Sequence, residues 1–276
     1  KIMEENATGK EDCDSWLLMS LMKSADMTVS EQLERLARSI KSVYYSNSAM
    51  IMLGIYYQRN SQNARARDVW NELIEKQPAL VEAALRLANV MAIVGYGETD
   101  LARFQQRLDK NPNDKSADLV LGVLKYYMRD YSGALPHLQR SVKYNNVGPE
   151  ILVFLVMTDY FLGRKDEAMR LTDENIGKPG QSRRLYYCKA FQLLEKDRNA
   201  AMDYLVKFIE SHGAKVSEAA TNPSLEVKEA WELLEYVRNW REDSGVDLLA
   251  PLDMQAPWPM INNYDYGVPA NPQPQR

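Results

Sequence analysis

The pattern of nonpolar positions along this chain repeats at an interval of about 34 residues. A small or modest residue recurs at the same place in each period, namely Ser20, Gly54, Ala88, Gly122, Val156 and Ala190. A second series is large and aliphatic throughout and consists of Ile40, Ile74, Leu108, Val142, Ile176 and Ile209. Such repetition is typical of stacked helical hairpins, because one hairpin cannot bury its own apolar face. The sequence therefore predicts an all-α solenoid.

Each period contains two helical stretches. In one period, Ala134, Leu138 and Val142 fall four residues apart, which places them on one face of a helix. Polar breaks at 59–63 and 128–130 separate the two stretches and are too short for anything but an antiparallel helical hairpin. A glycine or alanine at the crossing lets the two helix backbones approach each other.

The hairpins resemble the tetratricopeptide repeat, which carries Leu-Gly or Leu-Ala in its first helix and alanine, an aromatic and an aliphatic residue in its second. The copies with the best match carry Leu121-Gly122 with Tyr131, Ala134, Leu138 and Val142; Leu53-Gly54 with Tyr57, Ala66, Trp70, Ile74 and Pro78; Leu87-Ala88 with Phe104, Leu108 and Pro112; and Leu155-Val156 with Gly163, Ala168 and Ile176. Weaker copies contain Trp16 and Ile40 at the front and Ala190 and Ile209 behind.

The sequence departs from the family pattern at three positions. Gln32 and Asp100 replace the second-helix alanine, and Lys189 stands where leucine is expected.

The resemblance implies a right-handed superhelical solenoid. We expect four segments along the chain: an N-terminal extension, the array of about six repeats, a loop with a capping helix, and an extended Pro-rich tail. Their predicted bounds are 1–11, 12–211, 212–243 and 244–276.

The segment after the array predicts a cap and then a tail. A helix from about Leu225 to Glu242 carries one apolar stripe, which would cover the bare last face of the stack. The tail is too rich in proline for a long helix, yet it holds more large apolar side chains than a disordered linker. We expect it to lie over the solenoid or to dock on another chain, including a second copy of this one. The candidate docking residues are Trp258, Met260, Ile261, Tyr264 and Tyr266.

The inner face of the first helices is the predicted binding surface. If the register holds, it is a concave groove lined by Ile55, Leu85, Asn89, Leu119, Val123, Tyr126, Tyr127, Met157, Tyr160, Phe161, Tyr187 and Phe191. Few inner positions are charged, and only Asn89 matches the lysine and asparagine set with which family members grip chaperone carboxylates. Aromatic and aliphatic walls favour a hydrophobic peptide. The alternative is that these side chains simply pack between neighbouring helices.

Charge and hydropathy narrow the class of partner. The formal net charge is -4 with both signs interspersed, so the chain has no broad basic field and we expect no nucleic-acid partner. The chain has no long apolar span, and we expect it to be soluble as given, in the cytoplasm or periplasm. It begins at Lys1 without an initiating methionine, so a targeting segment removed upstream is also compatible with the sequence.

The sequence offers little catalytic or metal-binding chemistry. His137 and His212 are the only histidines and fall in a repeat helix and a loop, which does not favour a catalytic pair or a histidine metal site. Cys13 and Cys188 lie at opposite ends of the array and predict no disulfide. The stretch 177–180 lacks the order of a phosphate loop and is read as a turn. We therefore expect no enzyme, cofactor or metal.

These observations predict a scaffold or adaptor that binds a hydrophobic segment of another protein in its groove, a site that its own tail is also suited to occupy. Two alternatives remain open at this point. One is a structural subunit that assembles a larger complex, and the other is a regulator that senses small peptides.

Overall fold

A computed structural model of the chain describes residues 28, 31, 34, 43–144, 149–222, 224–241 and 248. These residues form helices and turns, and this part of the chain contains no β-strand. The helices are α1 (Val43–Arg59), α2 (Asn63–Lys76), α3 (Val81–Val94), α4 (Glu98–Lys110), α5 (Lys115–Tyr127), α6 (Tyr131–Ser141), α7 (Glu150–Phe161), α8 (Lys165–Asn175), α9 (Arg184–Leu193), α10 (Arg198–Ser211), a 3-10 helix (Val216–Thr221) and α11 (Leu225–Asn239).

The helices alternate as the repeat predicts. First helices begin at Val81, Lys115, Glu150 and Arg184, which are about 34 residues apart, and a second helix follows each of them after a short turn. The predicted all-α fold and its tetratricopeptide-like helical pairs are thereby confirmed. The first predicted repeat, with Trp16 and Ile40, lies outside the described residues, and the predicted bounds 1–11, 12–211, 212–243 and 244–276 stay predictions.

The chain divides into two compact units. The first comprises Lys1–Leu73 with Met260–Arg276, and the second comprises Ile74–Pro259. Among the described helices, none combines the length and the apolar character that crossing a bilayer requires.

In the first unit, α1 and α2 cross at a glycine. Gly54 faces the fully buried indole of Trp70, and a Cβ atom at position 54 would lie 2.5 Å from the Trp70 Cζ2 atom. The Trp70 indole N–H donates to the Gln58 Oε1 atom at 3.1 Å, so this large ring is both packed and hydrogen-bonded. Only a residue without a side chain fits this crossing, which explains the Leu53-Gly54 signature.

In the second unit, successive pairs pack in a fixed order. The second helices α6, α8 and α10 each pack against their own first helix and against the next helix of the array, which is α7, α9 and α11 respectively. First helices also meet directly, as α3 does with α5 and α7 with α9. At the α5–α6 crossing, a Cβ atom on Gly122 would lie 3.0 Å from the His137 Cβ atom. Each pair thus covers the apolar face of the one before it.

Two aspartate side chains stabilise the starts of second helices. Asp130 and Asp197 cap α6 and α10, each accepting a hydrogen bond from a backbone N–H in the first turn.

Lys189 departs from the family pattern, because it occupies a leucine position in α9. Its stem is buried, and its Nζ atom donates to the Asp173 Oδ1 atom of α8 at 2.5 Å.

The array ends on α11 as the sequence indicates. This helix packs on α10 and buries Val227, Ala230, Leu234 and Val237, while Trp231 is half-buried. Arg184 at the start of α9 donates to Glu150 of α7 at 3.1 Å and also to Glu226 of α11. One buried guanidinium therefore joins three helices.

Replacing Gly54 with alanine tests the α1–α2 crossing. The new methyl group would press into the Trp70 ring, so we expect the free energy of unfolding to fall by about 1 to 3 kcal/mol despite the better helix propensity of alanine. Denaturant titration measures this value. Gly97→Ala is the control for added volume, because its nearest neighbour would be the Thr99 Oγ1 atom at 4.0 Å; since Gly97 is the N-cap of α4, we expect a loss of less than about 1 kcal/mol. Equal effects of the two substitutions would contradict the assigned crossing.

Candidate functional site

Aromatic rings form a continuous row through the second unit, which we call the aromatic row. Neighbouring rings have centroids 4.7 to 6.3 Å apart, mostly in edge-to-face contact. The row consists of Tyr126, Tyr127, Tyr131, Phe154, Tyr160, Phe161, Tyr187, Phe191 and Phe208. It runs from α5 to α10 and links consecutive helical pairs.

Most residues of the predicted groove are buried. The side chains with 5% exposure or less are Leu85, Asn89, Leu119, Val123, Tyr126, Met157, Tyr187 and Phe191, and Tyr160 follows at 8%. Ile55 and Tyr127 are half-buried, and Phe161 is 37% exposed. Ring contacts explain part of this burial, since Tyr126 packs edge-on against Phe154 of the next pair with centroids 5.1 Å apart. Within the second unit, Tyr127 and Phe161 are therefore the accessible part of the predicted wall.

Tyr127 and Asn89 form a polar contact between two first helices. The Tyr127 hydroxyl donates to the Asn89 Oδ1 atom at 3.0 Å. The Asn89 Nδ2 atom is buried and has no hydrogen-bond partner in the part of the chain that the structure describes. A buried amide donor without a partner costs free energy, so Asn89 lowers the stability of the fold at this point of the predicted groove.

The buried phenols of the row are neutral donors at ordinary pH. Burial raises the pKa of Tyr126, and the same cause raises the pKa of Tyr160 and of Tyr187 above the ordinary tyrosine value. Their hydroxyls therefore remain protonated, and the row carries no negative charge of its own.

Three exposed apolar side chains mark one edge of the second unit. Val94, Met128 and Phe161 lie at or just beyond the ends of α3, α5 and α7, with exposures of 39%, 50% and 37%. We call these three residues the rim. Tyr131, the first residue of α6, stacks on Phe161 with centroids 4.7 Å apart and an interplanar angle of 18°. The rim is thus continuous with the aromatic row.

Sequence reasoning missed Val94 and Met128 as surface residues. Met128 was read as part of a polar break, because Arg129 and Asp130 follow it. The signal was available, since Val94 and Met128 are themselves about one repeat period of 34 residues apart. An exposed apolar residue at a repeated position is more informative than a single one.

A buried carboxylate organises the α5–α6 pair. Asp118 of α5 accepts from His137 Nδ1 at 2.7 Å, from Arg140 Nε at 3.0 Å and from the Tyr144 hydroxyl at 2.5 Å. Burial by itself would raise the pKa of Asp118, but these three donors outweigh it and hold the pKa below the ordinary aspartate value. This arrangement joins two helices and leaves no acceptor atom facing an open cleft, so its role is structural.

The other candidate groups also have structural surroundings. Cys188 is fully buried in α9, and burial raises the pKa of its thiol to about 12, so it stays a protonated, unreactive thiol. His212 is half-buried, with Nδ1 donating to the Phe208 carbonyl at 2.9 Å. Within the described ranges, histidine, cysteine and carboxylate side chains do not gather into groups of three that suit a metal ion. The predicted docking residues Trp258, Met260, Ile261, Tyr264 and Tyr266 lie outside the described residues.

Comparisons with known proteins concern the fold. No protein-family model matches the chain, and no curated protein matches it in sequence. Among solved structures the chain is similar to MamA AMB-1, with 20% identity over 64% of this chain and 97% of that one and a TM-score of 0.40. It is also similar to a tetratricopeptide repeat protein from Parabacteroides merdae ATCC 43184, with 13% identity over 82% of this chain and 98% of that one and a TM-score of 0.47. Both identities are low and both TM-scores lie below 0.5, so the assignment of the helical pairs rests on how the helices of this chain pack against each other.

Asp118→Asn tests the polar centre of the α5–α6 pair. We expect a loss of about 1 to 3 kcal/mol at neutral pH, because the amide cannot replace the charge-assisted bonds to Arg140 and His137. The folded-state pKa is lowered, so this stabilisation is present above the unfolded pKa of about 4 and disappears as pH falls below it. Unfolding titrations between pH 3 and pH 7 measure the effect, where the variant should lose less stability on acidification than the parent. Parallel curves would show that Asp118 has no such role.

Proposed function

We propose that this chain is a protein-interaction scaffold that binds an apolar segment of another protein along the aromatic row. The observation that carries the proposal is the continuity of the row through three successive helical pairs and its emergence at the surface at Tyr127 and Phe161. Stacked helical pairs mainly provide surface, and extended apolar surfaces on such folds serve recognition.

The chemistry of the row favours an apolar ligand with aromatic or aliphatic side chains. Rings supply large contact area at low entropic cost and are the usual anchors of protein interfaces. Tyr127 adds a hydroxyl at the border of the wall, next to Asn89. The buried rings behind Tyr127 and Phe161 form a rigid floor, which lowers the entropy lost when a ligand binds.

The tail is the proposed competitor for this site. Its residues Trp258, Met260, Ile261, Tyr264 and Tyr266 have the same apolar and aromatic character as the ligand that the row would accept. A tail bound in cis would shield the wall until a partner displaces it, and a tail bound in trans would join two copies of the chain. The lack of a nucleic-acid partner stays a prediction from the net charge of -4.

Selection of peptides displayed on phage against the full chain tests the proposed function. We expect enriched peptides to carry aromatic or aliphatic anchors, and binding of a fluorescent copy of one such peptide to weaken about tenfold or more in the Tyr127→Ser, Phe161→Ser double variant. Fluorescence anisotropy measures the affinity.

Met52→Ser is the matched control for that experiment. Met52 is 37% exposed, like Phe161, but it belongs to α1 of the first unit and is not a member of the aromatic row. Its replacement should leave peptide affinity unchanged. Failure to enrich any apolar peptide, together with light scattering that grows with protein concentration, would instead favour a structural subunit that assembles with itself.

A further inference from the structure

We propose that α8 is a hinge element of the second unit, which detaches reversibly from α7 and α9 while those two first helices stay in contact with each other. The inference goes beyond the proposed function and does not depend on it. It rests on four polar side chains that are buried around α8, or belong to the helices it packs on, namely Asp159, Thr172, Lys189 and Gln192. We call these four residues the polar joint.

Thr172 occupies a core position where other helical pairs carry a large apolar side chain. The equivalent residues of α2, α4, α6 and α10 all have 0% exposure and are Trp70, Phe104, Leu138 and Leu205. Thr172 is equally buried, but its hydroxyl donates to the Ala168 carbonyl of its own helix at 2.8 Å. Ala168 and Thr172 are the fully buried residues of α8, while Leu171 is half-buried. Because α8 buries no large apolar side chain completely, it gains less stability from apolar burial than its counterparts.

Gln192 and Asp159 bring further polar groups to core positions. Apolar or aromatic residues occupy the position of Gln192 in α3 and α5 and that of Asp159 in α1 and α3, and these are Val90, Leu124, Tyr57 and Met91. Gln192 and Asp159 are 5% and 1% exposed. The Gln192 Nε2 atom donates to the Thr172 Oγ1 atom at 2.9 Å. A hydrogen bond therefore connects α9 to α8 where other pairs have an apolar contact.

Two acceptor atoms of the polar joint are buried without a donor. Gln192 Oε1 and Asp159 Oδ1 have no hydrogen-bond partner in the described part of the chain. Arg164 Nε lies 3.2 Å from Asp159 Oδ1, but the two groups lack hydrogen-bonding geometry. Burial also raises the pKa of Asp159. Buried acceptors without donors cost free energy in the closed state, and this cost disappears when opening lets water reach them.

Two ion pairs connect α8 to α9 and to the turn after it. Lys189 Nζ donates to Asp173 Oδ1 at 2.5 Å, and Lys165 Nζ donates to Glu195 Oε2 at 2.6 Å. The Asp173 side chain is 52% exposed, and those of Lys165 and Glu195 are 44% and 46% exposed. Ion pairs at exposed sites contribute little net stability and are screened by salt. These contacts between α8 and α9 are therefore ones that water and salt can replace.

The first helices on either side of α8 are joined to each other directly. Tyr160 and Phe161 at the end of α7 contact the ring of Phe191 in α9, with centroids 5.6 Å and 6.3 Å apart. At the other end of these helices, Arg184 Nη1 donates to Glu150 Oε2 at 3.1 Å. Because neither contact involves α8, α7 and α9 remain connected at both ends when α8 detaches.

Detachment of α8 changes the angle between two parts of the aromatic row. The rings of α5 to α7 meet those of α9 at Phe191, so this contact is the pivot. Elements that move in proteins come from the regions of lowest local stability. Departures from the core pattern that carry a cost are expected at sites with a role in function. The polar joint therefore controls the curvature of the second unit at this pair.

Amide hydrogen exchange of the full chain under native conditions tests the hinge. We expect the amides of α8 to exchange at least about tenfold faster than those of α10, the second helix of the next pair, while α7 and α9 exchange slowly. Raising the NaCl concentration from about 0.1 M to about 1 M should accelerate exchange in α8 severalfold and leave α10 unchanged, because salt screens the ion pairs of Lys165 and Lys189. Mass spectrometry of peptic fragments measures each rate.

Removing the polar character of the joint should close the hinge. Thr172→Val combined with Gln192→Met keeps similar side-chain volumes and removes the unpaired Gln192 acceptor together with the hydrogen bond between the two side chains. We expect exchange in α8 to slow at least about fivefold. Thr158→Val is the matched control, because Thr158 is also fully buried and donates to the Phe154 carbonyl within α7. It should leave exchange in α8 unchanged.

Each outcome supports or overturns the hinge. Equal exchange rates in α8 and α10 of the parent chain overturn it, because α8 then does not open by itself. One common rate in α7, α8 and α9 also overturns it, because these helices then unfold together. Unchanged exchange in α8 of the double variant shows that the polar joint does not cause the opening. The two comparisons within the parent chain need no substitution, so they decide the hinge even where the double variant folds poorly.

Discussion

The constraint on which the rest of the molecule depends is that no helical pair buries its apolar face by itself. In the second unit, the second helices α6, α8 and α10 each pack on their own first helix and on the next helix of the array, and α11 covers the last face. This serial burial fixes which side chains become core and which reach an edge. Because stability in such a stack comes from nearest-neighbour contacts, the placement of every surface feature follows from the register of the repeats.

The candidate site is a by-product of the same packing. Tyr126 and Phe154 meet because α5 and α7 belong to successive pairs, and Tyr131 stacks on Phe161 because second helices begin where first helices end. Rings that serve as core in one pair therefore touch rings at the edge of the next. This gives the surface positions Tyr127 and Phe161 a rigid aromatic support and connects the proposed binding of an apolar segment to the fold.

The sequence predicts the register well because the crossings are sterically strict. Leu53-Gly54 and Trp70 were read as family signatures, and the structure gives the reason, since position 54 has no room for a Cβ atom beside the indole. Gly122 was predicted at a crossing in the same way and lies against His137 and Leu138. Helical spacing and short breaks fixed the remaining pairs, because few connections fit so few residues.

The sequence does not predict which residues of the groove are accessible at the surface. A periodic pattern indicates which residues share a helix face, but the tilt between neighbouring pairs decides whether that face is open, and no single residue encodes the tilt. Leu119 and Val123 were expected in the groove and are fully buried, as the packing alternative allows, whereas Met128 was overlooked and is half exposed. Lys189 shows a second limit of prediction from sequence. A lysine is tolerated at this leucine position because its Nζ atom donates to Asp173, which lies 16 residues earlier in the chain.

The most direct test of serial burial is amide hydrogen exchange, measured by mass spectrometry, in a Phe154→Ala variant of the full chain. Phe154 contacts Tyr126 and Tyr127 across the α5–α7 boundary. A stack of pairs predicts that protection falls most in α5 through α8 and progressively less toward α3 and α11. A uniform loss of protection from α3 to α11 would contradict the account, because it would mean that these helices share one cooperative core.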